Sequence, residues 1–210
     1  MANKLRLKVC GMNANTSEVA ALKPDYLGFI FWEPSKRYFD GDLPSIPHGI
    51  KKVGVFVDAA VEDIIEKVEK YQLLLVQLHG NESPSFCEML RKKSPQIEII
   101  KVFSLKDEFD FTALQAFEEV CDYYLFDTKG KLPGGNGYVF NWKVLSKYPS
   151  TKPFFLSGGI GLDETEAIQK FMSRPEAQYC YAIDVNSKFE IVPGLKDIEK
   201  LEKFKEILGK

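Results

Sequence analysis

Apolar and polar positions recur along this chain with two periods, and the periods alternate. Leu5, Leu7 and Val9 interleave with Arg6, Lys8 and Cys10. Side chains of a strand point to opposite faces with period two, so this stretch predicts a strand with one apolar face and one face of two cations and a thiol. Gly11 breaks it. Thr16-Ser17-Glu18 can open a short helix carrying Val19, Ala21 and Leu22, which Pro24 ends. Residues 26–31 form a nearly continuous apolar run, as a strand covered on both faces requires. A third strand is expected over 52–57, followed by Val61, Ile64, Ile65 and Val68 at helical spacing up to Tyr71. A fourth strand over 73–78 ends at His79-Gly80, and Ser83-Pro84 then starts a helix with proline in its first turn.

The second half repeats the rhythm. Strands are expected over 97–103, 123–126, 153–156 and 181–185, and helices over 111–120, near 141–145, over 163–171 and over 197–208. Residues 40–50 do not fit, because Pro44, Pro47 and Gly49 interrupt any amphipathic period. Eight strands alternating with helices, with no linker or compositional break, predict an α/β fold: a single (β/α)8 TIM barrel over 1–210 whose second crossover helix is short or missing. An open doubly wound sheet also satisfies the alternation, although 210 residues among eight units leave little room for its usual additions.

Composition narrows the function. Hydrophobic residues make up 45% of the chain, enough for one sizeable core, and 28 basic against 30 acidic residues give a net charge of -2. No basic face advertises nucleic acid and no apolar run is long enough to span a bilayer, so the expected partner is a small molecule. The N-terminus shows no apolar targeting segment, and a cytoplasmic location is expected. Monomer and homodimer both stay open. The cysteines at 10, 87, 121 and 180 lack paired spacing and there are only two histidines, at 48 and 79, which predicts neither a disulfide framework nor a metal site.

A barrel builds its site from the loops at the carboxyl ends of its strands, which would gather Cys10, Arg37, His79, Asp127, Ser157 to Gly159 and Asp184 at one mouth. Cys10 taken alone is equally a small buried hydrophobe, and Asp127 alone equally a turn residue. Together they would place a thiol and a carboxyl nearly across the ring, with Lys8 on the thiol's face as an aid to the thiolate. Gly158 and Gly159, between a strand and a helix, expose backbone N–H groups that suit phosphate, with Asn186 and Ser187 as further donors and Lys188 as added charge. Arg37 could clamp a carboxylate through two N–H groups or be a solvated loop cation. Gln77 and His79 share a face of the fourth strand, where a structural histidine is the plain reading. The glycine-rich stretch 133–137 reads as a mobile cover.

Several of these stretches resemble one family in order and over nearly the full length. They are Lys8-Val9-Cys10-Gly11, Ser35-Lys36-Arg37-Tyr38, Val53-Gly54-Val55-Phe56-Val57, Gln77-Leu78-His79-Gly80, Asp127-Thr128-Lys129, Leu156-Ser157-Gly158-Gly159 and Ala182-Ile183-Asp184-Val185. The chain is similar to phosphoribosylanthranilate isomerases. The resemblance implies a cofactor-free barrel that rearranges N-(5-phosphoribosyl)anthranilate to the 1-deoxyribulose 5-phosphate product in tryptophan biosynthesis. Carried onto this chain, it makes Cys10 the general base, Asp127 the general acid and Arg37 the partner of the anthranilate carboxylate. His79, Gly158, Gly159, Asp184, Asn186 and Ser187 complete the expected substrate contacts. The chain departs from the family's Asp-Val-Ser-Ser-Gly pattern at Asp184-Val185-Asn186-Ser187-Lys188. Indole-glycerol-phosphate synthase and a non-catalytic phosphate-ligand sensor are the rival readings; the synthase's strand-end lysine is absent after Phe56-Val57.

Overall fold

The computed structural model describes residues 5–106, 108–128 and 142–209. Eight parallel strands close into a barrel in sequence order, β8 pairing back onto β1. They are β1 (Arg6–Cys10), β2 (Tyr26–Ile30), β3 (Lys51–Phe56), β4 (Leu75–Leu78), β5 (Glu98–Leu105), β6 (Tyr123–Thr128), β7 (Phe154–Leu156) and β8 (Cys180–Val185). The α-helices are α1 (Thr16–Ala21), α2 (Val61–Tyr71), α3 (Pro84–Lys93), α4 (Thr165–Met172) and α5 (Ile198–Ile207). Ser83 caps α3 by accepting from the Phe86 N–H, with Pro84 in the first turn, as its sequence predicts.

Alternation along each strand produces two cores. Tyr26, Val53, Leu75, Ile100, Val102, Tyr123, Leu125, Phe155 and Ala182 fill the barrel, while Leu7, Val9, Leu27, Phe29, Val76, Ile99, Phe126 and Ile183 belong to the larger layer under the helices. The amino-terminal end of the barrel is closed by polar aromatic packing. Arg6 lies 4.0 Å over the Tyr181 ring, and the Tyr26 and Tyr181 hydroxyls are 3.0 Å apart.

Two of the expected helices take another form. Residues 111–120 do not form an α-helix: residues Phe111–Phe117 form a 3₁₀ helix, and so do Trp142–Lys147. The reason is spacing, since Phe111, Leu114 and Phe117, like Trp142 and Leu145, recur every third residue, which matches three residues per turn. The helix expected over 163–171 is present as α4, preceded by a 3₁₀ turn over Leu162–Glu164. A two-stranded antiparallel hairpin, β9 (Glu190–Val192) and β10 (Leu195–Lys196), follows β8 and was not anticipated.

The second crossover contains no helix, as expected. An aromatic cluster occupies that side of the barrel instead: Phe39 packs edge-on to Phe29 with centroids 5.0 Å apart, and Phe31 stacks on Tyr71 at 5.2 Å. The Tyr71 hydroxyl donates to the Gly41 carbonyl at 3.1 Å, tying this segment to α2. Glycine-rich residues 133–137 and Asn141 lie outside the described residues.

Candidate active site

Lys8, Cys10, Asp127 and Asp184 stand at the carboxyl-terminal end of the barrel because each continues an inward-facing row. Lys8 pairs in register with Asp184 across β1 and β8, and Cys10 with Gly28 across β1 and β2. A Cβ on Gly28 would lie 2.8 Å from the Cys10 Sγ, so only glycine leaves room for the thiol there. Asp127 follows Tyr123 and Leu125 on the inward face of β6 and is buried. The ring places β6 three strands from β1 by way of β7 and β8.

The electrostatics centre on Lys8, which is fully buried and donates to Asp184 Oδ1 at 2.9 Å. Burial works against its ammonium, but Asp184 and then Cys10 outweigh it, and Lys8 is held above the usual lysine range. Burial pushes the Asp184 carboxyl up against the opposing pull of Lys8, with Asp127 adding to the rise. Lys8 pulls the Cys10 thiol down, in the direction of the aid expected of it, but burial outweighs that pull. The net direction for the Cys10 thiol is up: burial raises it most, the Asp184 carboxylate adds to the rise, and Lys8 and Lys196 pull it down without cancelling them.

His79 has a partner at the mouth. Its Nε2 stands 3.4 Å from Asp127 Oδ2, and its Nδ1 is 3.2 Å from Gln77 Nε2. Gln77 and Asp127 thus hold the two ring nitrogens of His79 from opposite sides. The loop bearing His79 is fixed from beneath by a buried pair: Lys101 donates to Glu82 Oε2 and to the Gly80 carbonyl, both at 2.7 Å. Glu82 in turn accepts from the Asp58 and Gly80 N–H groups. Lys101 occupies an outward position of a hydrophobic strand, and nothing in the local pattern distinguishes it from a surface lysine.

Gly158 and Gly159 both take positive φ, 95° and 65°. A Cβ on Gly158 would meet Thr128 Oγ1 at 2.1 Å and the Thr128 N at 2.7 Å, so the loop after β7 packs directly on the end of β6 beside Asp127. Lys188 is exposed, with its stem against Gly161, which joins the loops after β7 and β8. Ser187 opens a 3₁₀ turn over Ser187–Phe189. Asn186 turns its Oδ1 to the buried Lys196 ammonium at 2.8 Å, so that acceptor is engaged inside the protein.

Arg37 is no free loop cation. Its Nε and Nη2 grip both carboxylate oxygens of Glu190, with Nη2 2.6 Å from Oε2. The arginine stem crosses Gly11, where a Cβ would lie 2.7 Å from Arg37 Cδ. The sequence pattern offers no sign of Glu190 and Lys196 as site residues, because they come from the unanticipated hairpin. Among the described residues, no group of three or more His, Cys, Asp or Glu side chains could hold a metal ion.

The family described as N-(5'-phosphoribosyl)anthranilate (PRA) isomerase matches residues 7–206. The chain belongs to the PRA isomerase family. A PRA isomerase from Parabacteroides distasonis is 44% identical over 206 residues, covering 94% of this chain and 90% of its own length. One from Phocaeicola vulgatus is 38% identical and covers 91% of each. Among solved structures, the PRA isomerase of Thermotoga maritima superposes with a TM-score of 0.80 at 28% identity, covering 98% of both chains. A PRA isomerase in complex with reduced 1-(o-carboxyphenylamino)-1-deoxyribulose 5-phosphate gives a TM-score of 0.75 at 25% identity, again covering 98% of both chains. The barrel expected from the sequence is therefore the family's fold.

Proposed function

We propose that this chain isomerises N-(5-phosphoribosyl)anthranilate to 1-(2-carboxyphenylamino)-1-deoxyribulose 5-phosphate by an Amadori rearrangement, with Cys10 as general base and Asp127 as general acid. The observation that carries the assignment of residues is the inward row Lys8 and Cys10 on β1 facing Asp184 on β8, with Asp127 closing β6 on the same ring. Protonated Asp127 donates to the furanose ring oxygen as the bond from that oxygen to the anomeric carbon breaks, and the nitrogen lone pair forms the Schiff base. The Cys10 thiolate then removes the C2 proton. The C–H electrons form a new carbon–carbon double bond and those of the imine return to nitrogen; the enolamine tautomerises to the ketone.

The remaining residues bind. Arg37 faces the anthranilate carboxylate, Gly158, Gly159 and Ser187 offer backbone or hydroxyl donors to the phosphate, and His79, Asp184 and Asn186 line the sugar. Positive φ at Gly158 and Gly159 supports the phosphate reading, since successive N–H groups in such turns converge on an anion. The partner is the small-molecule substrate, and the reaction as written uses no cofactor. Residues 1–210 act as one catalytic domain, and a cytoplasmic location fits a biosynthetic enzyme. No helix among the described residues is long and apolar enough to cross a membrane.

The test generates the substrate in situ from anthranilate and phosphoribosyl pyrophosphate with the preceding transferase, and follows loss of its fluorescence. Cys10→Ala and Asp127→Asn are each expected to lower kcat by about 10²- to 10⁴-fold with the fold intact. Near-normal turnover of folded Cys10→Ala would refute the base.

A further inference from the structure

We propose that Glu190 is the positioning residue that decides which edge of Arg37 meets the substrate's carboxylate, and thereby makes the site selective for an aryl amine carrying that carboxylate. The inference rests on the reading of Arg37 given above. A guanidinium has five N–H groups and two edges that accept a carboxylate in parallel: the side edge of Nε and Nη2, and the end edge of Nη1 and Nη2. Glu190 takes the side edge, with Nε donating at 2.8 Å to Oε1 and 2.9 Å to Oε2 and Nη2 donating at 2.6 Å to Oε2. Among the described residues no hydrogen-bond partner takes Nη1, and the end edge remains for a second carboxylate.

Glu190 is itself held by more than Arg37. Its Oε1 accepts from the Lys196 ammonium at 2.8 Å and from the Gly194 N–H at 3.2 Å in the turn of its own hairpin. Lys196 is buried and is tied in turn to the Asn186 Oδ1 and carbonyl. The hairpin thus fastens the carboxylate, and the carboxylate fastens the guanidinium. Placement relative to the base follows from Gly11, the residue after Cys10, where a Cβ would collide with both Arg37 Cδ and Asn186 Oδ1. Lys196 shares the Glu190 carboxylate with Arg37, so Arg37 can meet a second anion on its other edge without giving up the first.

Glu190→Gln probes the idea because it keeps the shape. One amide oxygen must then replace two carboxylate oxygens, and the amide NH2 faces either the guanidinium or Lys196, donor against donor. The experiment measures Kd for two ligands, reduced 1-(o-carboxyphenylamino)-1-deoxyribulose 5-phosphate and its counterpart lacking the ring carboxylate. The wild type should prefer the first, and Glu190→Gln should reduce that preference about tenfold or more while the ligand without a carboxylate binds nearly as before, as expected from losing one charge-assisted pair. An unchanged preference, or equal weakening of both ligands, would overturn the role of Glu190. A preference that rises would overturn it too, by showing that Glu190 competes with the ligand instead of orienting its partner. Wild-type protein that binds neither ligand would overturn the substrate assignment itself, a different failure.

A second measurement needs no variant at Glu190. In ¹⁵N spectra of the wild type, with the Arg37 Nε–H signal assigned by its loss in Arg37→Lys, that signal should stay protected and nearly unmoved when the carboxylated ligand binds. Loss of protection on binding would mean that the ligand displaces Glu190, and would refute the proposal.

Discussion

Replacing Lys8 with methionine removes the cation at the centre of the barrel mouth while keeping an unbranched side chain of similar length. Asp184, whose carboxylate accepts from Lys8 at 2.9 Å, is then left buried without its ammonium partner. Breaking a buried pair from one side costs about 3–5 kcal/mol when the orphaned charge persists. The carboxylate has another course, which is to stay protonated in the folded protein. An unfolded aspartate titrates near 3.9, so holding the proton at about pH 7 costs roughly 4 kcal/mol, from about 1.4 kcal/mol per pH unit. Size alone does not separate the two routes, but pH does.

If Asp184 is neutral in folded Lys8→Met, the unfolded state binds fewer protons than the folded one at every pH above the unfolded value. Stability of the variant then falls as pH rises, and its deficit against the wild type shrinks by about 1.4 kcal/mol per unit as pH is lowered over the range where the wild-type pair stays ionised. Urea unfolding followed by circular dichroism at about pH 7.5, 6.5 and 5.5 measures that slope. The double variant Lys8→Met with Asp184→Asn should recover most of the loss, because neither partner then carries charge. A deficit that is flat in pH would show that the orphaned charge persists and refute the proton uptake, and a double variant no more stable than the single one would refute the account of Lys8 and Asp184 as a coupled buried pair.

Other outcomes follow from the same geometry. Because burial raises the Cys10 thiol above its ordinary value of 9.0, the ultraviolet thiolate absorbance that Cys10→Ala removes should appear only as pH is raised past that value. Thiolate absorbance that appears below it would show that Lys8 and Lys196 outweigh burial. Gly158→Ala adds a Cβ 2.7 Å from the Thr128 backbone N at a φ of 95°, and is expected to cost about 1–3 kcal/mol of stability and to raise KM, read from thermal unfolding and from kinetics. Lys101→Met leaves Glu82 buried without its cation, with an expected loss of about 3–5 kcal/mol and a lower kcat through the loosened His79 loop.

The barrel was legible because its signal is repeated: each unit contributes an apolar strand and a period of apolar helix positions, and errors in one unit do not disturb the next. The units that misled did so for a local reason. Phe111, Leu114 and Phe117 lie on one face of either helix type to a first approximation, and only the strict three-residue recurrence favours the 3₁₀ form seen over Phe111–Phe117. The strand-end residues were legible too, since period two sets Asp127 on the face of Leu125, Asp184 on that of Ala182, and Cys10 on the face opposite Leu7 and Val9.

What could not be read was every partner supplied from far along the chain. Arg37 and Glu190 are 153 residues apart, and Lys101 and Glu82 are 19 apart on different elements. No periodicity links such pairs, so Arg37 read as either a ligand clamp or a solvated cation, and the structure changes the terms of that choice. A guanidinium already gripped on one edge by Glu190 is neither free nor spent. The fixed inner carboxylate removes most of the side-chain entropy that a flexible arginine would lose on binding, about 2 kcal/mol for a fully mobile one. On the proposed roles of Arg37 and Cys10, the hairpin after β8 acts on the reaction without needing to touch the substrate: it holds the cation assigned to the aryl carboxylate in register with the thiol assigned to the proton.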